Sequence, residues 1–138
     1  MAYPEEMCIP MRADLTSAGF VELRTAEEVT DLLDKKEGTV LLMVNSVCGC
    51  AAGNARPAVK ISTTFSPKVD VFATVFAGQD IGATAKAREY MSPFPPSSPS
   101  IALFKDGLLV HFIERHHIEG RSAQMIADNL KDAFVQAC

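Results

Sequence analysis

The sequence predicts an α/β fold of three layers, in which helices cover both faces of a mixed β-sheet. Residues 39–45 form a nearly continuous apolar run, Thr-Val-Leu-Leu-Met-Val-Asn, which is typical of a central strand buried on both faces. Strand-like and helix-like segments alternate in the middle of the chain, and this order favours parallel pairing. Asp106-Gly107 lies between two further apolar runs and indicates a hairpin of antiparallel strands.

Local signals predict each element in turn. Thr25 and Glu28 form a capping box at the start of one helix, and an earlier, shorter helix is expected to begin after Pro10 and to close at Gly19. Pro57 is expected to kink the helix after the first strand. In chain order we predict a helix in 7–18, a helix between Thr25 and Gly38, a strand at 39–45, a helix from 48 to about 64, a strand at 69–76, a helix at 83–91, a hairpin at 101–104 and 108–113, and a helix at 122–137 with Met125, Ile126, Leu130 and Phe134 inward.

Length and composition predict one domain over residues 1–138, with a helical N-terminal extension over about 1–37. The chain has 138 residues, 48% of them hydrophobic and 22% charged, which is ordinary for a soluble globular protein. A net charge of −4 argues against nucleic acid as a partner. No apolar stretch is long enough to span a membrane, and the acidic start lacks a signal peptide's pattern. We therefore expect a cytoplasmic protein with no membrane partner.

Two cysteines one residue apart are the main functional signal. Cys48-Gly49-Cys50 follows the first predicted strand and precedes a predicted helix, whose N-terminus stabilises a thiolate. The two other cysteines are Cys8 and Cys138. A chain with this much core does not need structural disulfides in a reducing compartment, so the pair favours redox or metal chemistry.

The position of each thiol predicts its role. Cys48 lies nearer the helix start, so we expect it to be the more exposed and more acidic thiol and the nucleophile. Cys50 is the natural resolving thiol, and Gly49 supplies the backbone freedom that a bridge between residues i and i+2 requires. Such a bridge is expected to be strained, with a reduction potential of about −180 mV.

Polar residues near the pair have two interpretations each. Arg56 either stabilises the thiolate or binds a substrate carboxylate, or it is a solvated helix arginine. Asn45 and Ser46 either fix the active-site turn or only cap it. Asp80 is interpreted as the N-cap of the next helix.

A metal site is the competing interpretation of the cysteines. Glu114-Arg115-His116-His117 could join Cys48 and Cys50 around Zn²⁺ or Cu(I). Adjacent histidines in extended chain point to opposite faces, which favours a surface loop, and no residue is assigned as a metal ligand.

The chain resembles the thioredoxin fold and, more closely, the bacilliredoxin family, from about Pro10 to Cys138. The segments that carry the resemblance are 44–53 (VNSVCGCAAG), 56–58 (RPA), 75–80 (VFAGQD), 96–100 (PSSPS), 98–107 (SPSIALFKDG), 111–113 (HFI) and 118–120 (IEG). Pro99 is then the counterpart of the thioredoxin cis-proline, beside Cys48, with the Ser98 backbone open to an extended substrate; the alternative is an ordinary proline at a strand start. A C-terminal cysteine belongs to the family pattern, whereas Cys8 has no counterpart.

The resemblance implies a thiol–disulfide oxidoreductase that needs no organic cofactor. Its substrates would be mixed disulfides between proteins and the small thiol bacillithiol, so its partners are bacillithiolated or disulfide-bearing proteins and bacillithiol or a similar thiol. The first alternative is a protein disulfide isomerase. Two others are a metal-binding module built on the cysteine pair and a non-catalytic interaction domain.

Overall fold

A computed structural model describes residues 3–138 of the chain. Helices, strands and two short turns alternate in the following order: α1 (Glu5–Thr16), β1 (Val21–Glu22), α2 (Ala26–Leu33), β2 (Thr39–Asn45), a π-helical turn (Ala51–Ala55), α3 (Arg56–Ser62), β3 (Val71–Phe76), α4 (Ile81–Tyr90), β4 (Ser100–Lys105), β5 (Leu108–Ile113), a 3₁₀ turn (Arg115–His117) and α5 (Ala123–Ala137). Every strand and helix predicted after residue 20 is present, with bounds that differ by a few residues.

The strands form one mixed sheet in the order β1-β3-β2-β4-β5. β2 pairs in parallel with β3 and antiparallel with β4, and β4 pairs antiparallel with β5. The predicted hairpin is confirmed, since Asp106 and Gly107 both have positive φ angles, 51° and 84°, as a tight turn between right-twisted strands requires. Because β2 and β3 run in parallel, their carboxyl ends lie at the same end of the sheet, where the cysteine pair follows β2.

Helices cover both faces of the sheet, which confirms the three-layer prediction. All of β2 is buried, and its side chains alternate between the two faces. Leu41 and Met43 pack in one apolar cluster with α1, α3 and α5 residues, whereas Leu42 and Val44 pack in the other with α2 and α4 residues. The strand that leads to the cysteine pair is thus held from both sides.

The N-terminal part differs from the prediction in two ways. α1 begins at Glu5 and contains Pro10, so the expectation of a helix that starts after this proline is wrong. Burial of Arg12 and Leu15 on the inner side of α1 holds the helix although Pro10 lacks an N–H group. The unpredicted β1 pairs in parallel with β3 and forms one edge of the sheet.

Two further expectations about helices need correction. Met125 is 55% exposed, so only the other three residues predicted to point inward from α5 do so, since Met125 lies in its first turn at the margin of the buried face. The kink expected at Pro57 is instead a π-helical turn before α3, with Pro57 in the first turn of α3.

The predicted capping box is present, because the Thr25 hydroxyl accepts a hydrogen bond from the Glu28 N–H and the Glu28 carboxylate accepts one from the Thr25 N–H.

Candidate active site

The two thiols of Cys48 and Cys50 face each other where β2 gives way to a helical turn. Their Sγ atoms are 2.8 Å apart, and both cysteines are free. The Cys48 carbonyl accepts hydrogen bonds from the N–H groups of Ala51 and Ala52, so Cys48 lies at the first turn of the helical segment. Both side chains are half-buried, so the structure does not separate them by exposure as the sequence predicts. Cys50 packs against the apolar cluster under α3 and α5.

The pKa values of the two thiols shift in opposite directions. Burial raises the pKa of Cys48, but hydrogen bonds from the Cys50 thiol, the Ser46 hydroxyl and backbone N–H groups outweigh burial and hold it below its ordinary value. Burial also raises the pKa of Cys50, and the hydrogen bond to Cys48 and the Cys48 charge raise it further, against the charge of Arg115. Cys48 is therefore the more acidic thiol, as its position predicts.

The turn before Cys48 is fixed by a chain of polar side chains. The Ser46 hydroxyl lies 3.3 Å from the Cys48 Sγ and accepts a hydrogen bond from the Cys48 N–H at 3.2 Å. The Asn45 side-chain oxygen accepts hydrogen bonds from the Ser46 N–H and from Arg56, both at 2.9 Å. Its amide group donates to the carbonyl of Met11 in α1. Asn45 thus fixes the turn, one of its two predicted roles.

Arg56 is buried and hydrogen-bonded within the protein, contrary to the expectation that it binds a substrate carboxylate. Only 5% of this residue is exposed. Its guanidinium donates to Asp14 at 3.0 Å, to the Asn45 side chain and to the Ser46 carbonyl at 3.0 Å. It is not a solvated helix arginine either. Its hydrogen bonds join α1, the end of β2 and α3 next to the turn that carries the two thiols.

Gly49 lies at the exposed tip of the turn. Its φ angle is outside the left-handed region, and a Cβ atom built there would meet nothing within 4 Å. The dithiol form shown here therefore does not require glycine, and any need for the backbone freedom of Gly49 belongs to the bridged form.

The Ser98–Pro99 peptide bond is cis, as the resemblance implies. Ser98 lines a cleft of about 230 Å³ together with Cys48, and we refer to it as the Cys48 cleft; other lining residues include Tyr3, Ser46, Arg88 and Arg115. The Ser98 carbonyl accepts a hydrogen bond from Arg115 at 3.2 Å. This carbonyl therefore already has one partner, whereas the resemblance implies a Ser98 backbone open to an extended substrate.

Sequence reasoning missed two arginines of this cleft. Arg115 follows β5, and the pairing of Ile101 with Ile113 in the hairpin brings the end of β5 beside the start of β4. The hairpin register could therefore have placed Arg115 next to Pro99. Arg88 lies near the end of α4 and has no comparable signal in the sequence.

Neither of the two remaining cysteines lines the cleft. Cys8 is fully buried in α1, and burial first, then the charge of Glu5, raises its thiol pKa. Cys138 is exposed and lies beside Gly38, Thr39 and Lys105, at the start of β2. The seven residues of β2 separate it from the cysteine pair by about 20 Å. It therefore does not resolve Cys48 within one chain.

The histidine pair forms a cluster that the sequence argument did not expect. His116 and His117 lie in the 3₁₀ turn, not in extended chain, and their ring centroids are 4.0 Å apart. With Glu114 they are the one group of three or more candidate ligands within residues 3–138 whose ligand atoms lie close enough for a metal ion. Neither cysteine is a member.

The carboxylate of Asp80 also differs from its predicted capping role, since it binds the guanidinium of Arg12 at 2.6 Å and 3.0 Å.

Comparisons with known proteins agree with this geometry. A family model described as Disulphide isomerase matches residues 3–138. A relative named Bacilliredoxin, from Cytophaga hutchinsonii, is 60% identical over 132 residues, which is 96% of this chain and 97% of the relative. The chain belongs to the bacilliredoxin family. A second bacilliredoxin, from Bacillus cereus, is 52% identical over 137 residues, with 99% of this chain and 95% of the relative covered.

Solved structures show the same fold at low sequence identity. Fasciola hepatica thioredoxin aligns with a TM-score of 0.60 at 20% identity, over 86% of this chain and all of the thioredoxin. Mitochondrial thioredoxin 3 from Saccharomyces cerevisiae gives a TM-score of 0.60 at 18% identity, over 89% of this chain and 98% of that one. This bacilliredoxin family member has a thioredoxin-like fold and is a thiol–disulfide oxidoreductase. Within residues 3–138, no helix has the length and apolar character needed to cross a bilayer.

Proposed function

We propose that this protein removes bacillithiol, or a similar small thiol, from mixed disulfides on proteins in the cytoplasm, with Cys48 as nucleophile and Cys50 as resolving thiol. One observation carries the assignment of roles: the two sulfurs are 2.8 Å apart, and the pKa of Cys48 is lowered while that of Cys50 is raised. The reactive form of a cysteine is the thiolate. The names of the relatives support the choice of small thiol.

The first step is an exchange at the disulfide of the substrate. The Cys48 thiolate forms a bond to the sulfur of the small thiol, and the bond from that sulfur to the protein's cysteine breaks. The protein leaves as a thiolate and takes a proton from solvent. The small thiol is then joined to Cys48 as a mixed disulfide.

The second step depends on the loss of the Cys48 charge. While Cys48 is a thiolate, its hydrogen bond and charge help to raise the pKa of Cys50. Formation of the mixed disulfide removes both, so the Cys50 pKa falls and Arg115 further favours its thiolate. Cys50 then attacks Cys48, forms the Cys48–Cys50 disulfide and releases the small thiol. An external thiol reductant supplies two electrons to restore the dithiol.

The test uses a reporter protein with one cysteine capped by bacillithiol. We expect the wild-type protein to uncap the reporter, Cys48→Ser to lose this activity, and Cys138→Ser to keep it because Cys138 lies at the far end of the sheet. Mass spectrometry of the reporter measures the capped fraction over time.

A disulfide isomerase is the second candidate, because the matching family model carries that description. The same preparations are therefore assayed with a reporter that holds scrambled disulfides. Rearrangement of scrambled disulfides without uncapping would contradict the proposed function and favour the isomerase. Uncapping by Cys48→Ser at the wild-type rate would contradict the assignment of the nucleophile.

A further inference from the structure

The Cys48 cleft is positively charged although the chain as a whole is negative. The net charge of the chain is −4, whereas the cleft is lined by two arginines, Arg88 and Arg115, and by no acidic residue. The charged side chains that a ligand meets beside Cys48 are therefore both guanidinium groups.

Arg88 is a half-buried cation without an acidic partner among the described residues. Its one hydrogen bond joins a terminal nitrogen to the Ser97 carbonyl at 3.4 Å, and its buried Nε has no hydrogen-bond partner. Burial lowers the pKa of this guanidinium, and nothing offsets that effect. A charged group in this condition is costly to the free protein, and a bound anion would relieve the cost.

Arg115 presents a second guanidinium at the same loop. It donates to the Ser98 carbonyl at 3.2 Å, next along the chain from the Ser97 carbonyl that Arg88 contacts. Its Nε also forms a salt bridge with Glu119, an exposed carboxylate that does not line the cleft. Its charge reaches the thiols, since it lowers the pKa of Cys50. The two arginines thus contact neighbouring carbonyls of one loop and line the same cleft as Cys48.

We propose that the Cys48 cleft is a carboxylate-binding subsite, in which Arg88 and Arg115 hold the acidic groups of the small thiol while its sulfur is joined to Cys48. Planar guanidinium groups bind carboxylates through paired, charge-assisted hydrogen bonds. The substrate class is a low-molecular-weight thiol that carries one or more carboxylates. This inference rests on the proposed function, because it requires a small thiol on Cys48.

The subsite also explains which sulfur of the substrate is attacked. With the carboxylates held by the two arginines, the sulfur of the small thiol lies at Cys48, and the protein's cysteine is the leaving group. The new bond joins Cys48 to the small thiol, the old disulfide bond breaks, and its electron pair leaves with the protein thiolate.

The test compares three caps on one reporter protein: mercaptosuccinate with two carboxylates, 2-mercaptoethanol with no charge, and cysteamine with a positive charge. Each rate of uncapping is divided by the rate with dithiothreitol, which removes the intrinsic reactivity of the disulfide. We expect the wild-type protein to prefer mercaptosuccinate over 2-mercaptoethanol at least about tenfold, with cysteamine slowest.

Substitutions then assign the preference to the arginines. Arg88→Gln should reduce the mercaptosuccinate preference about tenfold, and Arg88→Lys should retain part of it. Arg115→Gln offers a second variant on an exposed side chain, so the test does not depend on the folding of one protein. Lys86→Gln is the matched control. It removes a cation from the same helix, but Lys86 pairs with Glu89 and does not line the cleft.

The outcomes separate this inference from the proposed function. Equal normalised rates for the three caps, or an unchanged preference in both arginine variants, would overturn the carboxylate subsite while uncapping itself remained. Failure of the wild-type protein to uncap any of the three reporters, with bacillithiol also retained, would overturn the proposed function and the subsite together.

Discussion

The acidity of Cys48 comes from a few donors that surround one sulfur atom. The Ser46 hydroxyl, the Cys50 thiol and the N–H groups of Cys50 and Ala51 all stabilise the thiolate, and together they outweigh burial. Cys50 lies only two residues away, but it packs against the apolar cluster and faces the Cys48 charge. The difference in pKa between the two thiols thus arises from the individual groups that contact each sulfur.

Removal of the Ser46 hydroxyl should weaken the nucleophile. In Ser46→Ala we expect the pKa of Cys48 to rise, because one hydrogen bond to the thiolate is lost at 3.3 Å. Alkylation of Cys48 by iodoacetamide at pH 7 should slow about three- to tenfold, as the loss of about 1 kcal/mol implies. The rate is measured against pH, with the modified residue identified by mass spectrometry.

Ser62→Ala is the control for this change. Ser62 is also buried, but its hydroxyl binds the Val59 carbonyl within α3 and no cysteine. The same pH profile in the wild-type protein, Ser46→Ala and Ser62→Ala would show that Ser46 does not act on the thiolate.

At the scale of elements, the turn with the cysteines is held by three segments that are distant in sequence. Asp14 in α1, Asn45 at the end of β2 and Arg56 in α3 are joined by hydrogen bonds. Asp14 also binds Lys60 at 2.7 Å. Arg56 and Lys60 therefore share one carboxylate, but only Arg56 is buried and also binds the backbone before Cys48.

Loss of Arg56 should destabilise the protein far more than loss of Lys60. In Arg56→Met the Asn45 side chain and the Ser46 carbonyl lose a buried donor, and Asp14 keeps only Lys60. The free energy of unfolding should therefore fall by about 2–4 kcal/mol. In Lys60→Met an exposed ion pair is lost, and we expect a change of about 0–1 kcal/mol. Urea denaturation measures both. Equal losses in the two variants would contradict the role given to Arg56.

The whole fold shows which features the sequence could predict. The buried run at 39–45, the Asp106-Gly107 turn and the capping box at Thr25 act through neighbours in the chain, and each predicted element is present. β1 could not be predicted, because two residues carry no periodicity and the strand exists only by pairing with β3. Pro10 misled the prediction of α1, since contacts of Arg12 with distant residues hold that helix.

In the candidate site, too, only the features that depend on neighbours in the chain could be predicted from the sequence. The cysteine pair is local, so its position at the end of a strand and its order of acidity followed from sequence. The burial of Arg56 depends on Asp14, which lies 42 residues away, and the Cys48 cleft is assembled from Arg88, Ser98 and Arg115 only when α4 and the hairpin meet. Such contacts require the three-dimensional fold.

One measurement tests the central claim, that Cys48 forms the mixed disulfide and Cys50 resolves it. Cys50→Ser is mixed with a reporter protein capped by a small thiol, and the adduct is mapped by mass spectrometry without a reductant. We expect one small thiol on Cys48, which persists because the resolving thiol is absent, and none on Cys8, which is buried, or on Cys138, which lies across the sheet. An adduct on Cys138, or an unmodified Cys48 after the reporter has been uncapped, would contradict the account.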